Sequence, residues 1–131
     1  MMANNRKIAI STSNMDGEEV ICYQTTLDAH RAKHTEPFSD DDVVENVSRP
    51  DVVAKSGHEI PGHEDRLLYY KEKQFEDAPR MMKTVVDHSK TPAVITSMFR
   101  TSKFTQDGAI VYTRPGYLEE KLNAKRSSGH E

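Results

Sequence analysis

Four apolar runs between residues 66 and 113 constrain this chain more than any other feature. Arg66–Lys71, Met81–Asp87, Ala93–Arg100 and Ala109–Thr113 are rich in Leu, Val, Ile, Met or Tyr, and each is of strand length. Hairpin-scale connections, such as the turn Ser89-Lys90-Thr91-Pro92, favour antiparallel pairing. Alternation sends Leu68 and Tyr70 to one face of the first run, and Tyr69 and Lys71 to the other. On the third run Thr96, Met98 and Arg100 alternate with Ser97, Phe99 and Thr101.

Upstream, Lys7–Ile10 and Val20–Tyr23 are strand candidates around a turn signal at Asn14 and Asp16-Gly17, and together they fit a hairpin. Thr25-Thr26 opens a helix that runs to about His34 and stops before Pro37. Ser39 ahead of three aspartates caps a second helix near Val43–Val47, which Pro50 ends. Asp51–Lys55 is a short strand, residues 56–65 a loop carrying His58 and His63, and Tyr117–Lys125 a terminal helix. With residues 1–5 and 127–131 as flexible tails, the 131 residues fit one domain. The expected fold is α+β, with N-terminal helices packed on a mainly antiparallel sheet of four to five strands.

Composition narrows the function classes. A single cysteine, Cys22, forms no internal disulfide and reads as a small buried residue. No apolar run approaches the ~18 residues needed to span a membrane, and the N-terminus lacks the apolar stretch of a signal peptide, so the expected location is the cytoplasm. Net charge is −3, but it is unevenly spread. Residues 1–60 hold 6 Lys/Arg against 11 Asp/Glu, whereas residues 66–114 hold 9 against 5, so the sheet segment is basic. A local basic face can serve phosphate contacts on an acidic chain, although ordinary variation of a charged surface gives the same counts. Glycine-rich phosphate loops, Cys-x-x-Cys pairs and Gly-x-Ser-x-Gly elbows are absent, which disfavours nucleotide-dependent enzymes and the common hydrolases.

His30 and His34 lie one turn apart and share a helix face with Leu27. Three readings compete for this pair. It has the spacing of a zinc site but lacks the glutamate of His-Glu-x-x-His. It suits proton transfer, because imidazole titrates near neutrality. It also fits a polar helix face that carries two histidines by composition. A second feature is the hydroxyl- and cation-bearing strands: Arg66, Tyr70 and Lys71, then Thr96, Ser97, Arg100 and Thr101. Such a set can grip a phosphate, and it can equally be a solvated sheet face.

Taken in order, the segments resemble a family. His30, His34, Thr35 and Glu36 are followed by an acidic-capped helix ending in Arg-Pro-Asp-Val-Val, Arg49 to Val53. Then come Tyr69-Tyr70-Lys71, Val85 to Asp87 and Val94 to Ser97. The layout resembles small phage- and toxin-associated nuclease domains of the barnase–EndoU–colicin–RelE fold class over residues 24–103; it departs from them at Thr35, where proline is usual. The resemblance implies metal-independent RNA cleavage without a cofactor, in which the ribose 2′-hydroxyl attacks the adjacent phosphate. Carried over by position, His30 or His34 serves as acid or base, Lys71 steadies the charge, and Thr96, Ser97 or Thr101 bonds the phosphate. Arg66, Tyr70, Ser97, Arg100 and Thr101 form the expected substrate-binding set. The implied partners are RNA, with tRNA foremost, and a cognate immunity or antitoxin protein. A non-catalytic phage or mobile-element interaction module is the alternative.

Overall fold

A computed structural model describes residues 7–33, 37–56, 64–74, 79–102 and 108–120. The β-branched and aromatic runs become strands, and their order along the chain is β1 (Ile8–Ser13), β2 (Glu19–Tyr23), α1 (Gln24–Lys33), α2 (Asp40–Ser48), β3 (Val52–Lys55), β4 (Arg66–Gln74), β5 (Pro79–Asp87), β6 (Ala93–Thr101) and β7 (Ile110–Thr113). A helical turn follows at residues 117–120. All seven strands join one sheet in the order β1-β2-β6-β5-β4-β3-β7.

This corrects the expected architecture. The sheet has seven strands rather than four or five, and it is mixed: β2 runs parallel to β6 through Val20–Ala93 and Ile21–Val94. The helices are not N-terminal to the sheet, because the β1–β2 hairpin precedes them. The cause is long-range pairing at both flanks. The hairpin docks on β6, and β7 returns to pair with β3 through Val52–Thr113 and Val53–Tyr112. Between the flanks, β3, β4, β5 and β6 form a consecutive antiparallel meander.

Local chemistry sets the helix ends. α1 starts directly on the end of β2, so Thr25 and Thr26 fall inside the helix and not at its cap. Gln24 instead donates its side-chain amide to Asp28 at 2.8 Å, one turn on. α2 starts on a capping box: Ser39 Oγ accepts from the Asp42 amide at 3.2 Å, and Asp42 Oδ2 accepts from the Ser39 amide at 2.8 Å. The helix closes at Arg49, just before Pro50.

Both helices cover one face of the sheet. α1 lies on β6, β1 and β2, and α2 lies on β1, β5 and β4. Leu27, Val43 and Val47 pack there against Ile10, Val20, Cys22, Val53, Tyr69, Met82, Val86, Ile95 and Met98. Each of these side chains stabilises the fold by about 1.5–3 kcal/mol if it is fully apolar and fully buried. The opposite face carries a smaller cluster of Val52, Leu68, Tyr70 and Met81, closed by Tyr117. Asn46 of α2 is fully buried over the sheet, where its amide nitrogen meets Tyr69 O at 3.0 Å, Met82 O at 3.1 Å and Thr84 Oγ1 at 2.8 Å. At the β7 flank, a Cβ on Gly108 would come within 2.5 Å of the Lys55 carbonyl oxygen, so the chain passes there only without a side chain. No helix among the described residues is long and apolar enough to cross a membrane.

Candidate functional site

The sheet divides the candidate residues between its two faces. On the helix-covered side, His30 is half-buried on α1, one turn from the buried Leu27. Lys71, Met82 and Arg100 stand in register across β4, β5 and β6. With strands roughly 4.8 Å apart, the Lys71 and Arg100 backbones are about 10 Å from each other. Lys71 Nζ donates to the Arg49 carbonyl at 2.9 Å and lies 4.0 Å from Asp51. Arg100 is buried, and its guanidinium donates to the Pro37 carbonyl at 3.0 Å. Both cations therefore anchor helix ends to the sheet: Lys71 holds the end of α2, and Arg100 holds the segment leading into it. His34 lies outside the described residues, as do Thr35, Glu36, His58 and His63.

Thr96 occupies an irregularity. Val85 faces Ser97 while Val86 faces Ile95, so Thr96 is the extra residue of a bulge on β6. Ile95 and Met98 consequently share the helix side, and Thr96 drops out of the simple alternation with Met98 and Arg100. Its hydroxyl donates to the Val85 carbonyl at 3.4 Å.

Arg66, Tyr70, Ser97 and Thr101 belong to the opposite face, as the cross-strand rows Arg66–Asp87, Tyr70–Lys83–Phe99, Val85–Ser97 and Met81–Thr101 show. Four of the five expected substrate-binding residues thus share a face, and Arg100 is separated from them by the sheet. Lys83, which no sequence motif singles out, lies between Tyr70 and Phe99 in one cross-strand row. Its Nζ is 5.5 Å from the ring centroids of both Tyr70 and Phe99, a cation–π arrangement. Tyr70 is 1% exposed, so its ring serves packing rather than base stacking.

A second polar group that the sequence did not reveal joins three distant segments. Tyr69 Oη lies 3.0 Å from His88 Nε2, and His88 Nδ1 lies 2.9 Å from Glu18 Oε1. Asn14 Nδ2 reaches Tyr69 Oη at 3.2 Å and Glu18 Oε1 at 3.4 Å. Burial pushes the Tyr69 phenol up to about 12; the Asn14 bond opposes this, and Glu18 and Asp16 reinforce it. The turn signal at Asn14 and Asp16-Gly17 was legible. Nothing in the spacing of residues 14, 18, 69 and 88 shows that they meet.

Two ionic groups complete the polar map. Asp51 is 4% exposed and accepts from Arg114 Nε at 2.7 Å and from the Glu72 amide at 2.8 Å. Arg114 also forks onto Glu120 at 3.0 and 3.1 Å, and Tyr117 Oη donates to Glu72 at 2.9 Å. Lys73 pairs with Asp42 and approaches Glu45 at 3.8 Å. Burial raises the Asp42 carboxyl, but the bonds from Lys73 and Ser39 outweigh it and hold the group below the usual range. Cys22 lies buried in β2, and burial pushes its thiol up to about 11, which leaves it protonated and unreactive. Among the described residues no group of three or more His, Cys, Asp or Glu side chains converges as a metal site. No protein-family model, no curated protein and no solved structure matches the chain.

Proposed function

We propose that the chain is a metal-independent endoribonuclease of the phage- and toxin-associated kind, acting in the cytoplasm on tRNA or another structured RNA. The observation that carries this reading is the helix-covered side of the sheet, where α1 with the half-buried His30 lies over the face that projects Lys71.

The chemistry asked of these residues is modest. One imidazole, His30 or His34, takes the proton of the ribose 2′-hydroxyl as its oxygen attacks phosphorus. The other imidazole of the pair gives a proton to the 5′-oxygen of the next nucleotide as its bond to phosphorus breaks, and a 2′,3′-cyclic phosphate remains. Lys71 supplies positive charge where the phosphorane builds negative charge, and the buried Arg100 holds the segment that enters α2. Arg66, Ser97 and Thr101, being on the other face, contact RNA away from the scissile bond. A cognate immunity or antitoxin protein would silence the activity. The test of this chemistry is a matched pair of substrates, a structured RNA and the same RNA with deoxyribose at the cleaved nucleotide. Cleavage of the first alone is expected; cleavage of both would contradict 2′-hydroxyl attack.

A specific observation favours a second reading, a protein-interaction module. Ile8 on β1, Ile110 and Val111 on β7, and Leu118 just beyond are 41–55% exposed. All of them sit on the two edge strands or beside one, where a partner strand can add. A stoichiometric complex that Val111→Lys abolishes, together with no RNA cleavage, would establish it.

A further inference from the structure

β1 forms one margin of the sheet, and among the described residues no strand pairs with its outer side. The hydrogen-bond phase of the β1–β2 hairpin fixes which backbone groups face outward. The Asn14 amide donates to the Glu18 carbonyl at 2.9 Å, so these two residues form a hydrogen-bonded pair. Bonded and non-bonded pairs alternate along an antiparallel ladder. Thr12–Val20 and Ile10–Cys22 are therefore bonded, whereas Ser13–Glu19 and Ser11–Ile21 are not. The N–H and C=O groups of Ser11 and Ser13 consequently point away from β2, towards the place of a further strand.

Edge strands are commonly blunted by charge, by proline or by a bulge. In a chain of which 30% is charged, Ile8–Ser13 holds neither a charged residue nor a proline. Its one irregularity lies between Ile8 and Ile10, which leaves residues 10–13 in regular register.

We propose that a second copy of this chain occupies the edge, β1 against β1, antiparallel about a two-fold axis at Thr12. Directly opposed residues of antiparallel strands share a sheet face, so a symmetric pairing must centre on one residue. An axis at Ile10 or Ser11 brings the bulged Ala9 opposite Ser11 or Ser13. An axis at Ser13 runs the pairing into the hairpin turn. With the axis at Thr12, Ser11 meets the partner's Ser13 and Ser13 meets the partner's Ser11, and all their outward groups are satisfied clear of the bulge. Thr12 then stands opposite the partner's Thr12 in a non-bonded pair, with Cα atoms about 4.5 Å apart. Threonines facing each other in this way stabilise a sheet.

Charge favours a second copy as the occupant. Lys7 is exposed just before β1, and Asp16, Glu18 and Glu19 lie at the other end of the strand, in the turn and at the start of β2. Antiparallel pairing carries each Lys7 to the acidic end of the other copy, twice by symmetry. The same pairing lays Ile8, which is 50% exposed, against that turn. Neither His30 nor Lys71 takes part, so the dimer is independent of the cleavage reading.

The test uses the full chain in analytical ultracentrifugation, which should show a monomer–dimer equilibrium and nothing larger. Thr12→Cys should cross-link the dimer under mild oxidation, because only this position meets itself across the axis. Ser11→Cys and Ser13→Cys should not, and the native Cys22 is buried. Ser11→Pro removes an outward N–H without touching the β2 ladder, so circular dichroism should be unchanged while the dimer dissociation constant rises about tenfold or more. Thr12→Cys decides the matter if Ser11→Pro misfolds. A monomer at every concentration, cross-linking through Ser11→Cys or Ser13→Cys as efficient as through Thr12→Cys, or a dimer that Val111→Lys dissociates and a folded Ser11→Pro does not would overturn the proposal.

Discussion

Asp51 and Arg114 are joined twice: Arg114 Nε donates to Asp51 Oδ1 at 2.7 Å, and the Arg114 backbone amide donates to the Asp51 carbonyl at 2.8 Å. One residue precedes β3 and the other follows β7, so the pair closes the flank of the sheet that no local hairpin supplies. The Asp51 side chain also takes the Glu72 amide, and it is almost wholly buried. Asp51→Ala should therefore destabilise the protein by about 1–3 kcal/mol in urea unfolding, since it removes the acceptor of the part-buried Glu72 amide and one of the two carboxylates that hold Arg114. Arg114→Ala should cost less, because Asp51 keeps the Glu72 amide and Lys71 lies 4.0 Å away. Equal losses would mean that Asp51 acts only through Arg114.

Asn46 makes a sharper prediction about the centre of the molecule. Its amide nitrogen points at two backbone carbonyls and the Thr84 hydroxyl. Asn46→Ala should lower stability by about 2–3 kcal/mol, because those groups lose a buried donor. Asn46→Asp should be worse at neutral pH, since it aims a carboxylate at carbonyl oxygens in a site without water access, and it should recover in part as acid protonates the new group. If Asn46→Asp were no worse than Asn46→Ala in the same unfolding experiment, the donor role would be wrong.

Acid should loosen the start of α2 and the turn after β5. Asp42 is buried, which alone would raise its carboxyl, but Lys73 and Ser39 hold it below the usual range. Asp87 is held low chiefly by the Ser89 hydroxyl and amide, with burial opposing and Arg66 and Lys90 adding. Carboxyls depressed in the folded state contribute stability that is fully present above their unfolded value of 3.8 and is lost as pH falls through the lower folded value. Stability measured by urea should therefore be flat through neutrality with respect to these two groups and decline below about pH 4. Asp42→Asn should be less stable than the parent at pH 7 and should show a shallower acid decline.

Much of the meander was legible from residues alone. Leu68, Tyr70 and their alternating partners Tyr69 and Lys71 fall on the faces that a two-residue period assigns them. Ser39 ahead of the three aspartates marks the start of α2, and the reciprocal bond from Asp42 completes a capping box there. The flanks were not legible as one sheet, because two parallel pairs, Val20–Ala93 and Ile21–Val94, bind the hairpin to β6 across more than seventy residues of sequence. No local pattern encodes a contact of that kind. The bulge at Thr96 defeated the alternation for a similar reason, since it is defined by the partner strand β5 and not by the residues of β6. The pleat divides the candidate residues between two faces: Lys71 and Arg100 face the helices, while Arg66, Ser97 and Thr101 face away. His88 has no local signature, because its partners, Glu18 and Tyr69, are 70 and 19 residues away.

The ribonuclease reading is tested most directly by incubating the purified protein with total tRNA in EDTA, alongside a His30→Ala/His34→Ala variant shown to be folded. The expected result is discrete fragments with cyclic-phosphate ends from the parent and none from the variant. Intact tRNA and other cellular RNA in both reactions would contradict it.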